Sequence, residues 1–155
     1  MVQIIDAHTP EHYQFARDLF LMYADSLGFD LEFQGFSQEI AELSVAYAPP
    51  QGCILLAKLS GLLVGCVALR PLEDRVCEMK RLYVMPDYRG HGIGRTLACE
   101  VIARARDKGY EKMRLDTIDS MKAAKSLYTS LNFRAIEAYR YNPLKNPNYM
   151  QLDLK

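Results

Sequence analysis

Between Glu78 and Arg106 the chain runs through an apolar stretch, a turn of glycine and arginine, and an Ala/Leu/Ile/Val-patterned segment, and this order constrains the fold more than any other part of the sequence. Met79, Leu82, Tyr83, Val84 and Met85 read as a strand, and Pro86 and Asp87 break it. Arg89, Gly90, His91, Gly92, Ile93 and Gly94 form the turn, and an amphipathic helix follows from Arg95 to Lys108. Glycines remove Cβ atoms where a ligand must come close, and the unpaired N–H groups of a first helical turn point at whatever sits there. Phosphate or pyrophosphate is the guest such a turn favours, with Arg89 and Arg95 supplying charge.

Spacing separates the phosphate-loop families. The residue three after Gly92 is Arg95, where a dinucleotide loop needs a third glycine, and no Gly-Lys-Ser/Thr is present for a P-loop. What remains is Arg89-x-x-Gly92-x-Gly94 after a strand ending Leu82-Tyr83-Val84. Taken alone, the turn is also compatible with a glycine-rich helix start that holds no ligand.

Composition excludes several classes. Lys plus Arg and Asp plus Glu both number 19, so no global field draws the chain to nucleic acid or to an acidic membrane. The N-terminus lacks the basic and apolar regions of a leader, and no apolar run approaches spanning length, which predicts a cytoplasmic protein. Cys53, Cys66, Cys77 and Cys99 sit singly in apolar contexts, as buried free thiols would, without the spacing of disulfides or zinc ligands. His8 and His12 have no ligand cluster around them, so no metal is expected.

In chain order, Val2 to Ile5 reads as a strand, and Thr9-Pro10 starts a helix that ends near Gly28. Leu27 to Phe36 reads as a loop, and Ser37 caps a second helix through Leu43. Cys53 to Leu59 and Leu62 to Leu69 form a hairpin over Ser60-Gly61, and a third strand runs from about Arg75 to Val84. Gly109 closes the long helix, Lys112 to Thr117 is a strand, and Asp119 or Ser120 caps a helix carrying Ala123, Ala124, Leu127, Tyr128 and Leu131. Ala135 to Tyr141 and Tyr149 to Leu154 are the last strands. The expectation is one α+β domain over residues 1–155, with a mixed central sheet of six or seven strands flanked by about four helices.

The Arg89-x-x-Gly92-x-Gly94 turn resembles the acetyl-CoA signature of the GNAT N-acetyltransferase superfamily, and the element order is similar to the acyl-CoA N-acyltransferase fold of that family. A second segment, Ala124-x-x-Leu127-Tyr128-x-x-Leu131-Asn132-Phe133, looks like the family's Ala-x-x-Leu/Phe-Tyr-x-x-x-Gly-Phe, with Asn132 in place of glycine. Asn also tolerates the left-handed end that a helix needs there. Glu78, eleven residues before Arg89, stands at the spacing where the histone-acetylating branch carries a basic glutamate.

The resemblance implies transfer of an acetyl group from acetyl-CoA, as co-substrate, to a primary amine. In the GNAT pattern, Leu82, Tyr83, Val84, Arg89, Gly90, His91, Gly92, Ile93, Gly94 and Arg95 hold the coenzyme, partly through the backbone of the strand. The acceptor ammonium must lose a proton before it attacks, and Glu78 is the candidate base. Pairing of Glu78 with Lys80 or Arg75 is the competing reading. Tyr128 is the candidate donor to the leaving thiolate, and a tyrosine packed only in core is its alternative. Tyr23, Gln34, Arg70, Asp116, Tyr139 and Tyr141 are the candidate acceptor contacts, alongside Phe29, Phe33, Phe36 and Asn142. Arg70 offers a guanidinium to a carboxylate and Asp116 receives an ammonium, while Arg70 can instead pair with Glu73 or Asp74. Arg81 either contacts the coenzyme or flanks the sheet. The expected partner is a small-molecule amine, with no nucleic acid and no membrane, and a homodimer is left open. A non-catalytic acyl-CoA-binding or regulatory module and a peptide or protein N-acetyltransferase are the competing readings.

Overall fold

A computed structural model describes residues 1–28, 30–31, 35–118, 121–144 and 147–155. Seven strands form one sheet in the order β1-β2-β3-β4-β5-β7-β6. They are β1 Val2–Asp6, β2 Cys53–Leu59, β3 Leu62–Glu73, β4 Val76–Val84, β5 Lys112–Ile118, β6 Arg134–Ile136 and β7 Pro147–Asp153. Among the described residues the α-helices are α1 Pro10–Leu27, α2 Phe36–Ala41, α3 Leu43–Ala46, α4 Ile93–Asp107 and α5 Lys122–Ser130, five where about four were expected.

The sheet is antiparallel except where β4 runs parallel to β5. Helices cover both faces. On one, α4 buries Ile93, Leu97, Ala98, Val101, Ile102 and Ala105, a 3.6-residue stripe, against Val64, Val67, Leu69, Cys77, Met79, Met113 and Leu115. Each large aliphatic side chain fully buried there contributes about 1.5–3 kcal/mol. Gly65 lets this helix come close, since a Cβ on it would lie 3.1 Å from the Leu97 side chain and 3.1 Å from the Tyr83 carbonyl. On the other face Ala16, Leu19 and Phe20 of α1, Phe36 of α2 and Leu43 of α3 pack on Ile54, Leu56, Cys66, Ala68 and Tyr83.

Helix α1 starts and stops where the sequence indicates. The Thr9 hydroxyl accepts from His12 N at 3.1 Å, and Gly28 closes the helix with φ 70°. Asn132, in the position where glycine is usual, has φ 75° and ends α5 as expected. Other expectations need correction. Gly35, not Ser37, occupies the cap position of α2, because the chain enters from a left-handed residue, and an unforeseen α3 follows. The strand expected over 135–141 is only Arg134–Ile136, since the chain then turns away from β7 to put Tyr139 and Arg140 beside Glu78. Cys66 and Cys77 are buried free thiols, whereas Cys99 is exposed on α4. The expected cap at Asp119 or Ser120 lies outside the described residues.

Two departures from regular pairing in β4 create the site. Ala68 faces Lys80 and Cys66 faces Tyr83, so Arg81 and Leu82 together oppose Val67 in a β-bulge, with Arg81 at φ 60°. The β4–β5 pairing covers only Val76–Glu78 against Lys112–Arg114. Beyond it β5 stays on β7 while β4 stays on β3, and the two strands splay apart.

Candidate active site

The glycine turn sits at the mouth of the splay. Gly92 caps α4 in a left-handed conformation, φ 79°, and a Cβ built on Gly92 would meet nothing within 4 Å, so the helix opens onto free space. A groove of about 580 Å³ runs over it. One wall is Leu82, Tyr83 and Val84 with Tyr88, Arg89, Gly90, Gly92, Ile93 and Gly94, and the facing wall is Met121 to Ala124 and Leu127 of α5 and its entry. Tyr23, Ser26 and Leu27 of α1 close the inner end. Backbone groups of Leu82 to Val84 on the β5 side have no strand to pair with, so the groove offers the first-turn N–H groups of α4 at one end and strand backbone along its length. An extended acyl-CoA fits that pattern of donors.

Eight of the ten residues expected to hold the coenzyme therefore line one groove. His91 and Arg95 do not: His91 is exposed, and Arg95 Nη1 donates to the Ser130 hydroxyl at 2.9 Å, tying α4 to α5. Arg89 donates from Nε to the Val84 carbonyl at 2.8 Å, with its guanidinium 5.2 Å from the centre of the Tyr83 ring. Arg81 lies under α2, where Nε and Nη2 donate to Glu39 at 3.0 and 2.7 Å, and the Tyr47 hydroxyl donates to the same carboxylate at 2.7 Å. That buried pair fixes the bulge to α2, as expected of an Arg81 that flanks the sheet.

Where β4 and β5 part, a narrower cleft of about 40 Å³ continues from the groove. Tyr23, Leu27, Leu82 and Met121 line both spaces. Deeper in the cleft come Lys80, Asp116, Tyr128 and Asn142. Tyr128 projects from α5, 6 % exposed, its ring 5.7 Å from that of Phe133, and burial, with Tyr23 and Asp116 nearby, raises its hydroxyl pKa above the ordinary tyrosine value. A neutral hydroxyl facing the cleft is a proton donor. The Asn142 side-chain amide donates to Asp116 Oδ2 at 3.1 Å, which orients that carboxylate.

Beneath the cleft Glu78 is fully buried at the centre of a charge cluster. Arg70 Nε donates to Oε1 at 3.0 Å, Tyr139 donates to Oε2 at 2.7 Å, and Arg140 also donates to Oε2. Lys80 Nζ is 3.9 Å from Oε1. Burial alone would raise the carboxyl pKa, but Lys80, Arg140 and Arg70, with the Tyr139 hydrogen bond, more than offset it and hold Glu78 at about 2. Both oxygens of the expected base are therefore engaged, and a carboxylate held so low has little affinity for a proton near neutral pH. Its expected alternatives are half met, since Lys80 is a partner whereas Arg75 pairs with Glu111.

Of the expected acceptor contacts, Tyr23 and Asp116 line the cleft, and Arg70 and Tyr139 belong to the cluster below it. Tyr141 is 80 % exposed and lines neither space. Gln34, Phe29 and Phe33 lie outside the described residues. Sequence reasoning named Lys80 only as a partner for Glu78 and did not name Arg140. Lys80 carried a signal, because it alternates with Glu78 on one face of a strand otherwise apolar. Arg140 carried none. Among the described residues no group of three His, Cys, Asp or Glu could hold a metal, and no helix is long and apolar enough to cross a membrane.

Known proteins resemble this chain in sequence and in fold. The model of the acetyltransferase (GNAT) family matches residues 10–133. An uncharacterized N-acetyltransferase of Schizosaccharomyces pombe is 41 % identical over 134 residues, 85 % of this chain and 82 % of that protein. The N-acetylaspartate synthetase of Danio rerio is 32 % identical over 126 residues, 80 % of this chain but 42 % of the relative. Among solved structures, a GNAT-family acetyltransferase of Staphylococcus aureus superposes with TM-score 0.83 at 21 % identity, covering both chains fully. Another, from Elizabethkingia anophelis with acetyl-CoA bound, superposes with TM-score 0.68 at 21 % identity over 98 % of this chain and 97 % of the other.

Proposed function

The chain belongs to the acetyltransferase (GNAT) family and is an acyltransferase, and on that premise we propose that it moves an acetyl group from acetyl-CoA to the primary amine of a small, amino-acid-like acceptor. The observation that carries the reading is the meeting of two spaces: the groove over the glycine-capped α4 opens, at Tyr23, Leu82 and Met121, into the cleft that holds Asp116 and Tyr128. A pyrophosphate at the first turn of α4 and a pantetheine arm along Leu82 to Val84 put the thioester at that junction. Free N–H groups of the splayed strand polarise its carbonyl, and an acceptor entering the cleft is then aimed at the carbonyl carbon.

In this reading Asp116, oriented by Asn142, receives the acceptor ammonium, and Tyr128 protonates the departing sulfur. Glu78 gathers the cluster below the cleft, where Arg70 and Arg140 both donate to it. An amino-acid-like acceptor is supported from outside, since one relative is named for N-acetylaspartate. The test is coenzyme A release, followed by a thiol reagent, across a panel of amino acids, simple amines and peptides. Turnover on amino acids is expected. Saturable acetyl-CoA binding with no turnover on any amine would make the chain an acyl-CoA-binding module instead.

A further inference from the structure

We propose that Lys80 is the general base, taking the proton from the acceptor ammonium in the cleft. The proposal rests on the acetyl-transfer reading and adds the group that reading lacks, because the carboxylate expected in the role is fully engaged below the cleft. Lys80 lines the cleft with Asp116 and Tyr128, on the strand whose neighbouring Leu82 lines both spaces. Its side chain is 3 % exposed, so water does not solvate a charge on it.

Among the described residues, Arg70 of β3, Glu78 and Arg81 of β4 and Asp116 of β5 act on its charge, Tyr23 of α1 and Tyr128 of α5 line the same cleft, and Tyr139 and Arg140 after β6 reach it through Glu78. Burial disfavours the ammonium, Arg81 and Arg70 repel it, and Glu78 and Asp116 only partly restore it, so that Lys80 falls to about 7. Burial thus favours the neutral amine, and a base poised near the working pH is the most effective.

The step balances. Neutral Nζ removes one proton from the acceptor ammonium, and the freed lone pair forms the C–N bond to the thioester carbonyl carbon. Collapse of the adduct breaks the C–S bond with the electron pair leaving on sulfur. Tyr128 protonates that sulfur and regains a proton from the new amide nitrogen. Lys80 then releases its proton to solvent, so one ammonium and one thioester give one amide, one thiol and one proton.

The test uses Lys80→Met and Lys80→Arg. Neither side chain can accept a proton, and kcat near neutral pH should fall about 10²- to 10⁴-fold while acetyl-CoA affinity is retained. With a weakly basic amine, already neutral in solution, the deficit should shrink sharply, a rescue that a merely structural lysine would not produce. Full activity in Lys80→Met, or an equal deficit with both kinds of amine, would overturn the proposal, as would an acidic limb of the kcat profile that vanishes only in Asp116→Asn. Titration of the Lys80 Nζ by nitrogen NMR reads the same group without turnover. A midpoint near 7 supports the assignment and one near 10.5, the ordinary lysine value, sinks it. Should the wild type acetylate no amine, the acetyl-transfer reading fails, and this titration still decides the protonation of Lys80.

Discussion

The two halves of the site are built from different materials. On the side proposed for the coenzyme, backbone predominates: the left-handed cap at Gly92, the first-turn N–H groups of α4, and the strand from Leu82 to Val84 that β5 leaves unpaired. On the acceptor side, side chains predominate: Arg70, Glu78, Lys80, Asp116, Tyr128, Tyr139, Arg140 and Asn142 come from four strands and helices and from one irregular segment. Backbone sites recognise what all substrates of a class share, and side-chain sites recognise what differs. The difference predicts that damage to one half leaves the other half's task intact.

The largest expected effect is on stability, on the acceptor side. Glu78→Gln leaves Arg70 and Arg140 without a counter-charge, and loss of one partner of a buried charge group costs about 3–5 kcal/mol. At roughly 2–4 °C per kcal/mol for a chain of this size, the melting temperature should drop by about 6–20 °C. The pH dependence follows from the same carboxylate. Its folded pKa of about 2 lies below the ordinary 4.5, so its contribution is present in full above pH 4.5 and is lost as pH falls toward 2. That acid step should be missing from the Glu78→Gln melting curves. Equal melting temperatures for variant and wild type at neutral pH would show that Glu78 does not hold the cluster.

Next comes the coenzyme side. Gly92→Val forces a β-branched residue into φ 79° and fills the space before α4, and acetyl-CoA should bind roughly 10²-fold more weakly, about 2.7 kcal/mol. Tyr128→Phe keeps the ring and its packing on Phe133 but removes the hydroxyl of a residue that lines the cleft. Turnover should fall by about 10- to 100-fold with melting temperature and coenzyme affinity nearly unchanged. A fully active Tyr128→Phe would return that residue to the core. The smallest effect is expected at Tyr141, 80 % exposed, where alanine should change stability by no more than about 0.5 kcal/mol and leave acceptor KM alone.

The same contrast explains what was legible in the sequence. The turn at 89–94, the long amphipathic helix and the cap at Thr9 are local: their residues act within a few positions of one another, and spacing reveals them. Leu82 and Val84 could be named through the family resemblance, since the backbone role it implies needs only the right place in the strand. The acceptor cluster is not local. Arg70 and Arg140 meet on Glu78 from 8 and 62 residues away, and nothing near either arginine announces the meeting. The shortened β6 hid it further, since Tyr139 and Arg140 read as strand and instead leave the sheet to reach the carboxylate. Arg81 was ambiguous for a related reason: its partner Glu39 lies 42 residues away on a helix whose start was misplaced.

Calorimetric titration of acetyl-CoA into wild type, Gly92→Val and Glu78→Gln, each below its melting temperature, tests the division of labour most directly. Wild type and Glu78→Gln should bind with the same affinity, within the roughly 1 μM to 1 mM range usual for enzyme substrates, and Gly92→Val should show about a hundredfold loss. Undiminished binding by Gly92→Val, or binding abolished by Glu78→Gln, would contradict the assignment of coenzyme to the backbone side and acceptor to the charged cluster.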